Sequence, residues 1–515
     1  MSQTKRSQIC VVIGRTRHKM MVIEIEEATK RGAELIELRL DFLARAPDFK
    51  RLLAIKSPED DSVTRPKLVA TVRRITDGGR WSGNEEARGM LLRQSIVNGF
   101  DAVDIETDIA DSIPRYGDVQ RIISYHNLRG MPDDLEKLHE RMCNQDGDIV
   151  KIAVTATDPE DNLRVLELLK KPKKPTVAFC MGDLGFPSRV LGAQYGVPFT
   201  YAAFNKERGI APGLPSFLEM RELYRFEQVT SETQIFGVIG DPIAHSMSPY
   251  IHNKTLKKLD LPGVYLPFRV PRGKLQEFLK AYRKLPTTGF SVTIPHKEAA
   301  LSLATEPEDA AQQIGAANTL IRTEKGWAAY NTDAKAALDS LMAHMAVKQQ
   351  TGNPTLESLT VLLLGAGGVA RALGHMLGRN GALVTIANRT TERAQQLSES
   401  VGCRYVDWSA RHTVLADLVV NCTSVGMHPA VDESPLHPSY LKPGLVVFDT
   451  VYTPENTLLV KDARDRECHV LTGVDMFVRQ AALQFKLFTG NDAPLELMDK
   501  YVRRALSPVM IRDED

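Results

Sequence analysis

Eight short apolar runs punctuate the first two hundred residues, at 9–13, 35–40, 68–72, 102–105, 121–124, 149–154, 176–180 and 199–203. Each is long enough for one strand. Most are nearly continuous in hydrophobic residues, as expected of a parallel sheet covered on both faces. Between them the apolar positions often switch to a helical period, most clearly at 84–97, 133–142 and 159–169. Asp158-Pro159 supplies a cap-and-first-turn pattern for the last of these helices. Eight strand–helix units in about 200 residues suit a (β/α)8 barrel, whose lower size limit is about that. An open doubly wound sheet is the alternative, and the regularity of the units favours closure. A polar stretch at 221–232 ends the pattern.

A second pattern starts at Thr233. A strand runs into a Gly-Asp-Pro turn and then a helix entered at Ser248-Pro249, with proline at the first helical position. The stretch GFSVTIPHKEAA is a strand ending at Thr293, followed by Lys297 at a helix start. A lysine there opposes the helix dipole, which favours a chemical role over a structural one. Asn318 stands before a strand, and Asn331-Thr332-Asp333 closes another where a helix begins. Asp333 reads as an N-cap, a role compatible with catalysis. Residues 360–364 form a buried strand that turns through Gly365, Ala366, Gly367, Gly368, Val369 and Ala370 into a helix. Such an N-terminus offers free N–H groups and a positive dipole to a pyrophosphate. The next strand, 383–387, ends where an NAD site would carry a carboxylate for the ribose 2′-hydroxyl. Asn388, Arg389, Thr390 and Arg393 stand there instead, a set suited to a 2′-phosphate and therefore to NADP(H). The helix at 475–488 is amphipathic. The fold class is α/β throughout: an N-terminal barrel, then a two-domain unit containing a Rossmann nucleotide-binding domain.

Composition changes this picture little. At 515 residues the chain has room for about three domains, and 43% hydrophobic with 25% charged residues is ordinary for a globular protein. A net charge of +1 gives no reason to expect nucleic acid or membrane as partner. No apolar run approaches the ~18 residues of a membrane helix, and the N-terminus lacks a signal-peptide pattern. The six cysteines show no C-x-x-C spacing, so free thiols in a reducing cytoplasm, with no metal, are expected.

In a barrel, chemistry gathers at the C-terminal ends of the strands. Glu37 and Arg39, two apart, point to one face of the second run; Arg73 and Arg74 close the third, and His126 closes the fifth. Lys151 has apolar neighbours on both sides within its strand. A lone buried lysine is costly unless paired. Flanked by arginines and desolvated, it becomes an amine able to attack a ketone and form a Schiff base. The segments ELRLD, TVRR, SYH, VKIAV, MGDLGFPSR and APG, in this order, resemble the type I 3-dehydroquinate dehydratases. The resemblance implies that Lys151 forms an imine with the substrate C3 ketone, while His126 removes a C2 proton and assists departure of the C1 hydroxyl. Glu37 would orient the histidine and substrate, and Arg39, Arg73 and Arg189 would hold hydroxyls and the carboxylate. The chain departs from the family pattern at Ile210 and Leu214, where serine and glutamine are usual, and at Asp77, where glutamate is usual. Ser216 is a possible substitute.

The second half carries GDPIAHSMSP, SVTIPHK, AANTL, YNTD, GAGGVAR, ANRTTER, NCTSVGM, DTVY and GVDMFVRQAALQF, and so resembles shikimate dehydrogenase. That implies a catalytic pair, Lys297 and Asp333, assisting hydride transfer from NADPH to C3 of 3-dehydroshikimate. Ser246, Ser248, Thr293, Asn318, Tyr452 and Gln480 would bind shikimate or its ketone. Thr423, Ser424, Met427 and Gly473 would lie on the nicotinamide side. Ser291 and Ala334 depart from the usual residues without removing a reacting group. The resulting domains are 1–228 for the dehydratase barrel, 229–340 for the substrate-binding domain completed by C-terminal helices 475–510, and 341–474 for the NADP-binding domain. Together the two resemblances imply successive steps from 3-dehydroquinate to shikimate. A quinate- or shikimate-sensing regulator, and a catabolic dehydrogenase with a weakened dehydratase half, are the alternatives.

Overall fold

A computed structural model describes residues 6–54, 65–209, 213–350 and 353–506. Its contacts divide the chain into two compact units: Met1–Ile235 with Pro262–Thr287, and Phe236–Leu261 with Thr288–Asp515.

The first unit contains β1 (Gln8–Ile13), β2 (Leu35–Arg39), β3 (Lys67–Thr71), β4 (Ala102–Glu106), β5 (Gln120–Asn127), β6 (Ile149–Thr155), β7 (Thr176–Met181) and β8 (Phe199–Ala203). They lie in the order β7-β6-β5-β4-β3-β2-β1-β8, each parallel to its neighbour. The sheet is a nearly closed barrel, with no ladder between β7 and β8. Phe179 of β7 and Tyr201 of β8 instead meet ring to ring, with centroids 5.8 Å apart. The edge groups find local partners: Cys180 N–H donates to Ser188 Oγ (2.8 Å) and Ala203 N–H to Pro215 O (2.8 Å).

Alternation sorts the inward side chains into layers. Cys10, Leu35, Val69, Ala102, Ile122, Ile149, Val177 and Phe199 pack together in the barrel core. Two residues further along, β2, β4, β5 and β6 present Glu37, Asp104, Ser124 and Lys151, all buried. The outer helices expected at 84–97 and 133–142 are Glu85–Val97 and Leu135–Asn144. The third begins later than Asp158-Pro159 suggests, at Asp161. The Asp161 carboxylate accepts the N–H groups of Thr157 (2.8 Å) and Asp158 (3.0 Å), so residues 157–160 form a turn ahead of the helix.

The strands that follow are β9 (Gln234–Gly240), β10 (Gly263–Arg269), β11 (Thr287–Val292), β12 (Glu306–Pro307), β13 (Thr319–Arg322) and β14 (Trp327–Tyr330). In the second unit β9, β11, β13, β14 and β12 are successive neighbours, with β11–β13 and β13–β14 antiparallel. A separate parallel sheet has the order β17-β16-β15-β18-β19-β20, built from β15 (Thr360–Leu364), β16 (Leu383–Asn388), β17 (Arg404–Asp407), β18 (Leu418–Asn421), β19 (Val446–Asp449) and β20 (His469–Leu471). Its order reverses at β15, the switch point where doubly wound sheets bind ligands beyond the strand ends. The helices that matter for function are α1 (Ser248–Lys258), α2 (Lys297–Leu303), α3 (Thr332–Gln349), α4 (Gly368–Arg379), α5 (Thr391–Val401), α6 (Gly473–Thr489) and α7 (Leu495–Leu506). Core residues of α3, α4 and α6, including Leu341, Leu373 and Met476, pack in one cluster with the apolar side chains of β15 and β16. Among the described residues no helix is long and apolar enough to cross a membrane.

Candidate functional site

In the barrel, β6 carries Lys151 inward and buried. Its Nζ lies 2.8 Å from Asp104 Oδ2 and 3.4 Å from Glu37 Oε2, and 4.2 Å from the centre of the Tyr201 ring. The expectation of an amine flanked by arginines is corrected here: its contacting groups are carboxylates. The nearby guanidinium of Arg73 approaches through Asp104, at 2.7 Å from Oδ1. Arg73 also donates to Glu106 Oε1 (2.6 Å) and Ser124 Oγ (3.0 Å), while Ser124 Oγ donates to Asp104 Oδ1 (2.6 Å). Burial opposes the charged form of Asp104, but Arg73 and then Lys151 overcome it and hold the carboxyl well below the usual carboxylate range.

His126 follows Ser124 on the same face of β5. Its Nδ1 is enclosed and has no hydrogen-bond partner. Burial first, then the positive charges of Arg73 and Lys151, push its pKa well below the usual histidine range. The imidazole is thus neutral at physiological pH and available as a base. Arg39 is engaged with Asp41 through two bonds, 2.9 and 2.8 Å. Arg189 differs from the other arginines. It is 2% exposed, stacks 4.2 Å from the Phe179 ring centre, and its Nε and one Nη have no partner. Burial without an anion brings its pKa down to about 10, and a ligand carboxylate would supply the missing charge.

The departures have local consequences. Asp77 is bonded to Arg74 (2.7 Å), Leu214 packs against the barrel core, and Ser216 donates to Glu219 (2.8 Å). Ile210 lies outside the described residues. Sequence reading missed Asp104, Ser124 and Tyr201. A signal for the first was present: AVDIE places Asp104 and Glu106 two apart in an otherwise apolar strand, the same spacing that singled out Glu37 and Arg39.

In the second unit, Lys297 begins α2 and its Nζ is 2.6 Å from Asp333 Oδ2. The cap of α3 is Asn331 rather than Asp333: the Asn331 side chain accepts the N–H groups of Asp333 (3.1 Å) and Ala334 (3.3 Å). The Asp333 carboxylate is thereby left to pair with the lysine. Asn318 is buried, donating from Nδ2 to Thr332 Oγ1 (2.9 Å) and accepting from Thr332 N–H (2.9 Å). Ser246 Oγ accepts the Ser248 N–H at 3.3 Å, at the entry to α1. Thr293 closes against Gly240, where an added Cβ would lie 2.6 Å from Thr293 Cγ2. From α6, Gln480 is buried and donates to Phe477 O (3.0 Å), and Tyr452 stacks on Phe477 with centroids 4.5 Å apart. Gln484, one turn on and missed by the sequence reading, donates to Asn318 O (3.0 Å) and accepts from Ser291 Oγ (2.6 Å). It ties α6 to the strand ends that carry Asn318.

The candidate nucleotide site lies at the end of β15. Gly365 has φ +107°, and a Cβ there would meet Cys422 O at 3.0 Å. Ala366 and Gly367 lead into α4, whose first residues are Gly368, Val369 and Ala370. Space beside Gly367 is open, and a Cβ on Gly368 would lie 3.5 Å from Lys297 Cδ. The lysine pair therefore adjoins the glycine turn. At the end of β16, Asn388 donates to Thr390 O (2.9 Å), and Thr390 precedes α5. Arg389 and Arg393 are exposed, and neither makes an ion pair among the described residues. Thr423 donates to Asn421 Oδ1 (2.7 Å), Ser424 and Met427 are exposed, and Gly473 starts α6 where a Cβ would press on Val451 O at 2.5 Å. Open backbone N–H groups, a glycine turn with free space beside Gly367 and two guanidiniums without ion pairs among the described residues fit an adenine dinucleotide carrying a 2′-phosphate.

Comparisons with known proteins agree with this division. Residues 9–231 match the family model of type I 3-dehydroquinase. Residues 238–320 match the shikimate dehydrogenase substrate binding domain, 346–449 the shikimate / quinate 5-dehydrogenase model and 473–503 the shikimate 5'-dehydrogenase C-terminal domain. The chain is 36% identical over 520 residues to a bifunctional 3-dehydroquinate dehydratase/shikimate dehydrogenase, chloroplastic, of Arabidopsis thaliana, covering 96% of this chain and 85% of the relative. A shikimate dehydrogenase (NADP(+)) of Bacillus licheniformis is 39% identical over 277 residues, covering 53% and 97%. A crystal structure of a shikimate dehydrogenase in complex with NADP+ superposes with a TM-score of 0.50 at 30% identity, covering 54% of this chain and 98% of that one.

Proposed function

We propose the following division of chemical labour from the premise that this chain belongs to the bifunctional 3-dehydroquinate dehydratase/shikimate dehydrogenase family. It is an enzyme with a lyase half and an NADP-dependent oxidoreductase half. The observation that carries the assignment of residues is the presence in one chain of two buried or half-buried lysines paired with carboxylates, Lys151 inside β6 and Lys297 at the start of α2.

In the barrel, the dehydroquinate carboxylate pairs with the partnerless guanidinium of Arg189. The Lys151 ammonium gives up a proton to Glu37, its amine attacks the C3 carbonyl carbon, and the proton returns to the carbinolamine oxygen as water leaves, which yields the cationic imine. The cationic imine accepts the electron pair left when His126 takes the neighbouring C2 proton. Collapse of the enamine expels the C1 hydroxyl, to which His126 returns its proton. Hydrolysis of the imine frees 3-dehydroshikimate and the amine. Arg39 and Arg73 face this site already bonded to carboxylates, so their part is to hold the anionic network as well as substrate hydroxyls. Glu37 orients the amine, which is its closest charged contact.

When bound in the second unit, NADPH would supply a hydride for the ketone carbon. The chain holds the cofactor with the α4 N-terminus and its glycine turn at the pyrophosphate, with Asn388, Arg389, Thr390 and Arg393 at the 2′-phosphate, and with Thr423, Ser424, Met427 and Gly473 on the nicotinamide side. Ser246, Ser248, Thr293, Asn318, Tyr452 and Gln480 orient 3-dehydroshikimate. Lys297 delivers a proton to the developing alkoxide, and Asp333 holds the lysine and recharges it. We place the domain joints at 228/229 and 340/341, with α6 and α7 completing the substrate-binding domain; the family-model limits of 9–231, 238–320 and 346–449 fall near these joints. The part of 475–510 beyond residue 506 lies outside the described residues. A reducing, cytoplasmic setting is supported by six free thiols, although the Arabidopsis relative is named as chloroplastic.

The direct test supplies purified protein with 3-dehydroquinate and NADPH. Shikimate should accumulate as one NADPH is consumed per molecule. Dehydration without oxidation of NADPH would remove the reductase assignment, and consumption only when 3-dehydroshikimate is supplied would remove the dehydratase.

A further inference from the structure

The Asp104 that contacts Lys151 is the inner end of a chain of alternating charges running through the barrel wall. Arg73, two residues beyond the end of β3, bridges Asp104 and Glu106, both on β4. Glu106 is in turn gripped by Arg88, which lies on the outer helix Glu85–Val97. The Arg88 guanidinium also donates to Val72 O (3.1 Å) and to Glu85 Oε2 (2.7 Å). Its side chain is 0% exposed, whereas that of Glu85 is 52% exposed. A fully buried arginine on the outward helix of a barrel is expensive unless its position matters to what it touches. Here it touches the carboxylate that shares Arg73 with Asp104.

We propose that Arg88 is a positioning residue for the imine-forming amine: by holding Glu106 it divides the Arg73 guanidinium between two carboxylates, and so fixes how strongly Asp104 holds Lys151. This rests on Lys151 being that amine. The groups around Lys151 are Cys10, Glu37, Asp104, His126 and Tyr201 on the surrounding strands and Arg73 just beyond the end of β3. Of these, Arg73 alone is tied to the outer helix, through Glu106. Without Arg88, the excess negative charge on Glu106 draws Arg73 away from Asp104, and Asp104 binds the ammonium more firmly. Without charge on Glu106, Arg73 turns wholly to Asp104, and the ammonium is released more readily.

The test is borohydride trapping of the Lys151 imine with 3-dehydroquinate, read by intact mass as a function of pH in the full chain. For R88M the pH of half-maximal trapping should move up, and for E106Q it should move down; the R88K shift should be smaller than that of R88M. Dehydratase kcat should fall more than tenfold in R88M with KM changed less than threefold, while reductase activity in the same molecules reports that the second unit is folded. Superimposable trapping profiles, or shifts of the same sign in R88M and E106Q, would overturn the proposal. If R88M loses the barrel, as judged by its melting transition, R88K and E106Q still carry the opposed signs. Absence of trapping in the unmutated chain would instead sink the reading of Lys151 itself.

Discussion

Replacing Lys151 by methionine removes the amine while keeping most of the volume. Dehydration should fall by at least about 10³-fold, since no other residue can take over covalent catalysis. Reduction of supplied 3-dehydroshikimate should be unchanged in the same preparation. The reciprocal variant, Lys297→Ala, should cost roughly 10²- to 10⁴-fold in hydride transfer, the range of general-acid contributions, and leave dehydration intact; a stopped-flow comparison of both reactions checks the pair. His126 adds a pH effect whose sign is fixed by its depressed pKa. The unfolded imidazole protonates below about pH 6.5 but the native one resists, so stability is lost as pH falls from there. Asp104, also depressed, contributes stability present above about pH 3.9 and lost on further acidification. Melting of H126N against the unmutated chain between pH 7 and 5 should show a weaker pH dependence in the variant. Lys151 was readable because charge inside an apolar strand needs a reason, and His126 because it closes one; Arg189, on the helix Phe186–Leu191, came only with the family resemblance. Their partners were harder to read, because the residues that meet across a barrel are tens of positions apart in the chain.

Helix termini and strand ends carry the second site, and caps decide which side chains remain available. Asn331→Ala should cost about 1 kcal/mol of stability through loss of the cap. Asp333 would then be drawn toward the vacant N–H groups, so reductase kcat should fall further than the stability loss alone explains; measuring melting and turnover together separates the two. Gly365→Ala forces a side chain into positive φ beside Cys422 O. A penalty of about 1–3 kcal/mol and weaker NADPH binding are expected. At the start of α5, removing Arg389 or Arg393 should raise the KM for NADPH by roughly tenfold, the effect of one charge-assisted bond of about 1.5 kcal/mol, with little change for NADH. Element types were legible from period and glycine placement. The Asn331 cap was not distinguished from Asp333, because both residue types favour that position and only the distance to Lys297 decides between them.

At the scale of the molecule, the order of the motifs already announced two catalytic halves, since repeated strand–helix units and a glycine turn after a buried strand are local signals. The exact closure of the barrel was not among them. Pairing between β7 and β8, the two ends of the sheet, depends on twist and stagger summed around it, which no window of sequence records. Its outcome is a junction where Phe179 and Tyr201 meet as rings while neighbouring amides turn to their own loops. A wall fastened by aromatic contact can part without sacrificing backbone bonds. Solvent deuterium should therefore enter at the Cys180 and Ala203 amides, which bond to Ser188 and Pro215 rather than to a ladder, before it reaches the central strands β3 and β4, and the order of labelling would show where this cylinder breathes.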